Sequence, residues 1–427
     1  MNKDTQLGYC CINLELRPIP ITVNRTCRKA TFQSGGIAHV SNLALQNMRD
    51  LVEIIKWNEK NGFKVYRMSS NMIPWMSEYQ LKDLPDYKKI CTVLKGAGNL
   101  ALKYGQRLSF HPGPFNVLGS PNPILVEKTK KELNQSAEIM DIMGLPQSQR
   151  FPINIHCNGV YGDKKATLQR WSDNYRDLSV SARSRLVVEN DDKGSMYSVK
   201  DLYWGIFTEV RVPITFDFHH HRFNDGGLSE EEAFVMAKET WEYHNVKPLF
   251  HYSSCRRTFE EPGCKAQAHA DYVYETINDY GHAVDIEVEA KAKEKAIQKY
   301  VKDKGSLLES YLPIDADTKK IKAKVDNGVL TLTLLIKEKP IKSTTSVAGI
   351  LVQVTGGQWY GITIFRPARN PWIGRAGKST TTGRMEFGLG TETFQQSYSD
   401  KPSFEELKTV LIGVLNGAEP VKHKINY

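Results

Sequence analysis

Short apolar runs alternate with longer segments of helical periodicity from the N-terminus to about residue 291. Each run has the length and composition of a buried strand, and the segments between them carry apolar residues at helical spacing. The runs cover residues 7–13, 65–70, 107–112, 153–157, 185–191, 214–221, 249–254 and 285–291. The helix-patterned segments include residues 42–61, 124–143, 229–244 and 269–280. Eight such units in one domain-sized span predict an α/β fold, a (β/α)8 TIM barrel, with a doubly wound sheet as the alternative.

Nearly every apolar run ends in a histidine or a carboxylate. The residues in question are His111, His156, Glu189, Asp217, His220, His251 and Glu289. Barrel enzymes carry their chemistry at the carboxyl ends of the strands, because these ends converge and the following loops are free to vary. A ring of ligand-type side chains at this rim therefore predicts a metal site.

The chain changes character after about residue 300. Residues 315–339 alternate apolar and polar positions around an Asp-Asn-Gly turn, which predicts a β-hairpin. Strand-like patches follow at 349–354 and 358–365, then a Gly/Thr-rich stretch and one helical pattern at 403–417. We expect a barrel domain at 1–295, a charged helical linker at 296–311, and a β-rich or α+β extension of unassigned function at 312–427.

Composition narrows the class of protein only partly. The 427 residues include 40% hydrophobic positions, enough for a core, so wholesale disorder is excluded. The sequence has neither an apolar run of about 18 residues nor an N-terminal secretory signal, so we expect a soluble intracellular protein with no membrane partner. Seven cysteines without a small-scaffold spacing indicate reduced thiols. The net charge of +9 permits a nucleic-acid or phosphate-rich partner without demonstrating one.

Imidazole and carboxylate ligands without cysteine in register favour two or three hydrolytic metals over a structural zinc. Glu189 ends a buried strand, where an unpaired charge is costly, and bridging two cations would compensate it. Taken singly, each carboxylate could instead be a salt-bridged core anion and each histidine a hydrogen-bonded core residue. In a strand, the triplet His219–His221 would turn its first and third rings to one face and His220 to the other. Four histidines lie in helix- or loop-like contexts and are expected at the surface: His39, His244, His282 and His423.

These residues belong to longer motifs that resemble a known family. The span up to about residue 295 is similar to the UV-damage endonucleases, a branch of the (β/α)8 metal-dependent DNA-repair nucleases related to endonuclease IV. The matching motifs are LGYCCINLEL, NRTCR, FKVYRMSSNMIPWMSEY, GQRLSFHPG, LVVENDD, FDFHHHRFN, LFHYSS, AQAHADYV and VEAKAKE. They occur in order with compatible gaps, which makes the resemblance specific.

The resemblance implies two or three divalent metals per chain, usually manganese, with zinc or magnesium as alternatives. It implies that Glu189 bridges two metals and that His220 and His269 hold a third, with catalytic roles for Glu189, His251 and Glu289. Tyr9 and Asn13 match positions that line the lesion pocket. The implied ligands are His111, His156, Glu189, Asp217, His220, His251, His269 and Glu289.

The sequence departs from the family pattern in three places. Glu78 stands where the family often has a histidine, and its carboxylate can still coordinate a metal. Pro114 and Phe115 replace a Gln-Tyr pair that probes the damaged bases; Phe115 can still stack, but neither offers the missing hydrogen bonds. Leu249 replaces a lysine near the metals, which removes a polar group from the site and could lower the rate or change the substrate range.

The implied reaction is hydrolysis of the phosphodiester 5′ to a pyrimidine dimer, a 6-4 product or an abasic site, with damaged double-stranded DNA as partner. We expect a monomeric barrel, with association left to the extension. The basic residues expected to hold phosphates are Arg25, Arg28, Lys164, Lys165, Arg256 and Arg257. The alternatives are a metal-dependent sugar isomerase or epimerase, and a barrel that only binds damaged DNA. In the extension, a short segment resembles small heat-shock proteins through Ala323, Gly328, Val329 and Leu330.

Overall fold

The computed structural model describes residues 1–311 and six later strands, with side chains described through residue 303. The chain divides into two compact units, Met1–Tyr300 and Val301–Tyr427. The seven cysteines are free thiols, as expected. Among the described helices, none is both long and apolar enough to cross a bilayer.

The first unit contains eight strands. They are β1 (Gln6–Cys10), β2 (Val65–Met68), β3 (Arg107–Phe110), β4 (Ile153–His156), β5 (Leu186–Glu189), β6 (Ile214–Thr215), β7 (Leu249–Tyr252) and β8 (Asp285–Val288). The α-helices are α1 (Lys29–Lys60), α2 (Tyr87–Lys103), α3 (Pro123–Ile142), α4 (Lys164–Arg176), α5 (Val180–Arg183), α6 (Val199–Leu202), α7 (Thr208–Val210), α8 (Phe218–His221), α9 (Glu230–Glu242), α10 (Arg256–Phe259) and α11 (Glu294–Tyr311). Two 3-10 helices (Met76–Glu78, Leu81–Asp83) and a π-helix (Tyr203–Phe207) complete this unit, and α11 continues beyond its last residue, Tyr300.

The eight strands are parallel and hydrogen-bonded in the order β6-β5-β4-β3-β2-β1-β8-β7. The sheet closes between its edge strands through residues just beyond β6. The amide of His251 donates to the Phe216 carbonyl at 2.9 Å, and Asp217 forms a parallel bridge with His251. The predicted (β/α)8 barrel is confirmed, and the doubly wound sheet is wrong.

Local sequence accounts for where the outer helices begin. Asp163 accepts a hydrogen bond from the Ala166 amide to cap α4, and Ser229 forms a capping box with Glu232 at α9. Pro123 occupies the first turn of α3, where its missing N–H leaves no bond unmade. The helical pattern at 269–280 is wrong, since this segment forms an irregular loop between β7 and β8.

The outward faces of the strands and the inward faces of the helices form one apolar core. Gly8 shows how closely the first two strands approach, because a Cβ there would lie 2.4 Å from the Val65 carbonyl oxygen. Inside the barrel, charged side chains form ion pairs near both ends of the strands. The apolar core therefore holds the helices to the barrel and leaves its interior to charged groups.

The second unit contains an antiparallel sheet of β9 (Lys322–Asp326), β10 (Val329–Ile336), β11 (Ser346–Thr355) and β12 (Gln358–Phe365). A separate hairpin joins β13 (Phe387–Leu389) and β14 (Glu392–Phe394). Asp326 pairs with Val329, so the predicted hairpin around the Asp-Asn-Gly turn is present. The helical pattern at 403–417 lies outside the described residues, as does Gly328 of the segment that resembles small heat-shock proteins.

Candidate metal centre

Glu189, the last residue of β5, lies at the centre of a buried cluster of histidines. Its Oε2 atom is 3.0 Å from His111 Nε2, 3.1 Å from His251 Nδ1 and 3.6 Å from His156 Nε2. Its Oε1 atom is 3.2 Å from His220 Nδ1. Each histidine comes from a different strand end, so the convergence of the strands alone brings four imidazoles around one carboxylate.

Asp217 and His220 approach Glu189 from the chain that follows β6. Asp217 caps the short helix α8 by accepting a hydrogen bond from the His220 amide at 2.8 Å. Asn190 holds this turn, since it exchanges hydrogen bonds with the Asp217 backbone at 2.8 and 3.1 Å. The strand alternation expected for the histidine triplet is wrong, because the aspartate cap starts a helix at Phe218.

The opposite side of the cluster is formed by β8 and β2. His251 Nε2 lies 3.1 Å from Glu287 Oε2, and His251 Nδ1 lies 3.4 Å from Glu289 Oε1. Arg67 pairs with Glu289 and lies 3.7 Å from Glu287, so one partly buried guanidinium faces two carboxylates. The Ser109 hydroxyl donates to Glu287. Glu287 therefore orients the His251 ring so that Nδ1 faces the cluster.

Three overlapping groups within this cluster have ligand atoms close enough to share an ion. In each group the atoms lie within 4.8 Å of one another. The groups are His111, His156 and Glu189; His111, His251 and Glu289; and Glu189, Asp217 and His220.

Several polar atoms in these groups are buried without a hydrogen bond. They are Glu189 Oε1, Asp217 Oδ2, His156 Nδ1 and His251 Nδ1. Three of these atoms lie within 3.3 Å of a group of opposite charge without forming a hydrogen bond, and divalent cations would satisfy all four. Imidazole nitrogens and carboxylate oxygens are the donors that zinc, manganese and iron take in proteins. The residues present therefore fit divalent metals.

Proton equilibria in the cluster follow from the same contacts. Burial opposes protonation of His251, but the carboxylates of Glu189, Glu287 and Glu289 outweigh it and raise the pKa of His251 to about 10. Burial likewise opposes ionisation of Glu189, yet His251, His156 and their neighbours hold its pKa well below the usual range. Without metal, protonated imidazoles thus neutralise the buried carboxylates.

We expect metal affinity to rise with pH. His251 has a raised pKa, so its proton is bound at neutral pH and must leave before the ring coordinates a metal. Each proton displaced should strengthen binding by up to about tenfold per pH unit. A Mn²⁺ competition titration with a chelating dye, from about pH 6 to about pH 9, measures this slope. His251→Gln should reduce it, His39→Gln on α1 should leave it unchanged, and a pH-independent affinity would contradict the expectation.

Two expected ligands lie apart from the three groups. His269 lies in the loop between β7 and β8, where its Nδ1 atom is 3.4 Å from Glu289 Oε2 and its ring packs against His219 at 5.2 Å between centroids. Contact with Glu289 places His269 at the edge of the cluster. Glu78 lies exposed at the end of a 3-10 helix and belongs to none of the groups found among the described residues.

The structure adds residues that were absent from the expected set. Glu287 and Arg67 lie inside the barrel, and Asp191 Oδ1 lies 3.3 Å from His156 Nδ1. Two of them had a signal in the sequence. Glu287 stands two positions before Glu289 on the same face of the strand, and Asp191 stands two positions after Glu189. Arg67 had none, because an arginine in an apolar run does not reveal its partners.

Tyr9 and Asn13, expected at the lesion pocket, are both fully buried. The Tyr9 ring points outward from β1 into the aromatic core against Trp57 of α1, and its hydroxyl donates to Asn58 at 2.6 Å. Asn13 donates to the same hydroxyl at 2.9 Å. In this structure both residues stabilise the packing of β1 on α1 rather than forming an accessible pocket.

The remaining substrate-binding candidates divide by exposure and pairing. Pro114 and Phe115 are exposed on the loop that follows His111, and Phe115 is 88% accessible. Arg25 pairs with Asp50 at 2.6 Å. Arg256 pairs with Glu261 at 2.9 Å and with Asp271 at 3.3 Å. Both arginines already have carboxylate partners, which a DNA phosphate would have to displace.

Comparison with known proteins identifies the family. The family model described as UV-endonuclease UvdE matches residues 5–317, most of the chain. The chain belongs to this family. The UV-damage endonuclease of Schizosaccharomyces pombe is 34% identical over 301 residues, which are 68% of this chain and 49% of that protein. The UV DNA damage endonuclease of Bacillus mycoides is 30% identical over 275 residues, which are 62% of this chain and 83% of that protein.

A solved UvdE-type structure supports the fold as well. The crystal structure of SacUVDE matches with a TM-score of 0.60 and 29% identity, covering 71% of this chain and 99% of that one. The match also spans only about half the length of the fungal relatives, 49% for Schizosaccharomyces pombe and 50% for Neurospora crassa. The resemblance drawn from the UvdE motifs is confirmed.

Proposed function

We propose that this chain is a metal-dependent DNA-repair endonuclease that hydrolyses the phosphodiester 5′ to UV lesions and abasic sites in duplex DNA. The observation that carries the proposal is the set of three overlapping ligand groups around Glu189, in a chain of the UvdE family. Two or three divalent cations, with manganese proposed, would supply Lewis-acid activation of water and stabilise the charge that develops on phosphate.

The protein's own residues would hold this site in two ways. Glu189 presents both carboxylate oxygens to different histidines, as a ligand shared by neighbouring metals must. Glu289 and His251 complete a second group on the other side of the site, with Arg67 balancing the carboxylate charge. Solvent reaches the site, because the side chains of His111, His156 and His220 are 12–19% exposed.

The loop after β3 carries an exposed aromatic ring. Phe115 follows the ligand candidate His111 by four residues and is 88% exposed, so both faces of its ring are free to stack. Bases on either side of a gap at a lesion would cover this ring by stacking on it. We propose that Phe115, preceded by Pro114, enters the duplex at a lesion, where unstacking already costs less.

A nicking assay tests the proposed activity. The full chain is loaded with Mn²⁺ and incubated with duplexes that carry a single pyrimidine dimer, a single abasic site or no lesion. We expect a break 5′ to the lesion that is lost when the metal is chelated and absent from the undamaged duplex. Binding to damaged duplex without any break, by metal-loaded protein, would favour a binding module instead.

Replacing Phe115 with Ala should weaken discrimination between damaged and undamaged duplex by about tenfold. The reason is that stacking of one base on an aromatic ring contributes about 1–3 kcal/mol. The comparison is the ratio of nicking efficiencies on matched lesion-containing and undamaged duplexes. Phe259→Ala, at another exposed ring, is the control. Replacing Pro114-Phe115 by Gln-Tyr should change the preference among lesions, and an unchanged spectrum would show that this loop does not probe bases.

A further inference from the structure

A cavity of about 200 Å³ lies at the amino-terminal ends of the strands, opposite the metal cluster. Arg107 and Asp285 are the first residues of β3 and β8, and Lys247 lies two residues before β7. The metal ligand candidates all lie at the other ends of these strands or beyond them. The cavity lining consists of Arg107, Ser148, Arg150, Asn245, Val246 and Lys247.

Positive charge exceeds negative charge at this cavity. Three cations line it, and a single carboxylate, Asp285, serves two of them. Asp285 accepts from Arg107 at 3.0 Å and from Lys247 at 2.5 Å. Arg150 is exposed, and its guanidinium forms no ion pair with any side chain that the structure describes. One cation therefore faces the cavity uncompensated.

The excess of positive charge acts on Arg107. It is 2% exposed and its guanidinium is held by Asp285 and by backbone carbonyls, including those of Gln149, Arg150 and Lys247. Burial lowers the pKa of Arg107, and the neighbouring charge of Arg150 lowers it further against the opposing effect of Asp285. An anion in the cavity would relieve this repulsion between two guanidinium groups.

The donors around the cavity match a small tetrahedral anion. Arg150 offers a planar fork of N–H groups, Lys247 an ammonium group, and Ser148 and Asn245 a hydroxyl and an amide. We propose that this cavity binds a phosphate group, as inorganic phosphate or a small phosphate monoester, with Arg150 as its principal ligand. This assignment is independent of the proposed endonuclease activity, because the cavity lies at the opposite end of the barrel from the metal cluster.

Inorganic phosphate is the probe that tests the assignment. Calorimetric titration of the metal-loaded full chain at constant ionic strength should show saturable binding in addition to any at the metals. Arg150→Gln removes the fork and should weaken this component by about tenfold or more, since a charge-assisted pair contributes at least ~1.4 kcal/mol. Ser148→Ala should weaken it severalfold. Arg176→Gln, which removes an equally exposed arginine from α4, should leave it unchanged.

Duplex DNA is the other source of phosphate groups, and a second titration distinguishes the two. Undamaged duplex should bind wild type and Arg150→Gln equally, and the variant should retain full nicking activity at lesions. Loss of duplex affinity in Arg150→Gln, with phosphate affinity unchanged, would overturn the small-anion assignment in favour of backbone contact. Equal phosphate affinity for wild type, Arg150→Gln and Ser148→Ala would overturn the site altogether.

Discussion

Replacing Glu189 with Gln should reduce nicking by about 10³-fold or more, which corresponds to roughly 4 kcal/mol of lost transition-state stabilisation. The carboxylate places one oxygen near three imidazoles and the other near His220, so no neighbouring acid can take over both contacts. Glutamine has the same shape as glutamate, but it places an N–H₂ group where one of the two metal-binding carboxylate oxygens should lie. Single-turnover nicking of an abasic-site duplex, together with the metal content, measures the loss.

The control is Glu239→Gln, the same substitution at an exposed position of α9, which should keep full activity and metal content. Circular dichroism of both variants should match wild type, because the substitution preserves side-chain volume. Wild-type nicking by a folded Glu189→Gln variant would remove Glu189 from the site. Loss of nicking in a variant that retains all its metal would instead indicate a role in orienting the attacked phosphate.

Arg107→Met should lower the free energy of unfolding by about 3–5 kcal/mol, because it breaks a buried ion pair and leaves buried carbonyl oxygens without a donor. Arg107 closes the amino-terminal end of the barrel with hydrogen bonds to Asp285 and to four backbone carbonyls, and its guanidinium lies 5.4 Å from the centroid of the Trp241 ring. Methionine fills part of the volume but satisfies none of these acceptors. Urea unfolding followed by tryptophan fluorescence measures the difference.

Arg176→Met is the matched control for this change. Arg176 forms an exposed pair with Asp173 on α4, and such pairs contribute at most about 1 kcal/mol. The unfolding midpoint of Arg107→Met could prove as close to wild type as that of Arg176→Met. That result would show that water or Lys247 satisfies the carbonyls and Asp285 instead.

The barrel and the principal ligand candidates were predictable because one sequence feature determines both. A parallel strand buried on both faces is an apolar run, and a polar residue at its end stands out. His111, His156, Glu189 and His251 were found in this way, and Glu189 lies within 4 Å of the other three. Their closeness in space could be predicted because the strand ends converge, and this prediction needs no knowledge of side-chain geometry.

Other features depend on contacts that no local pattern encodes. The histidine triplet was expected in a strand because it follows an apolar run, but the Asp217 side chain caps a helix there, as aspartate commonly does. Tyr9 lies on a strand whose two faces are both buried, so alternation could not show that its ring turns toward α1. Residues 269–280 have helical spacing without a capping residue, and they form a loop that carries His269 to Glu289.

The joint between β6 and β7 gives the metal centre a second role. These edge strands share no regular ladder, and the bonds that close the barrel there involve Phe216, Asp217 and His251. Two of these three residues are also ligand candidates. Metal binding at these residues would therefore also stabilise the closure of the barrel between β6 and β7, where the strands share no regular ladder. Asp217 and His251 are then expected to support the fold as well as the metal site.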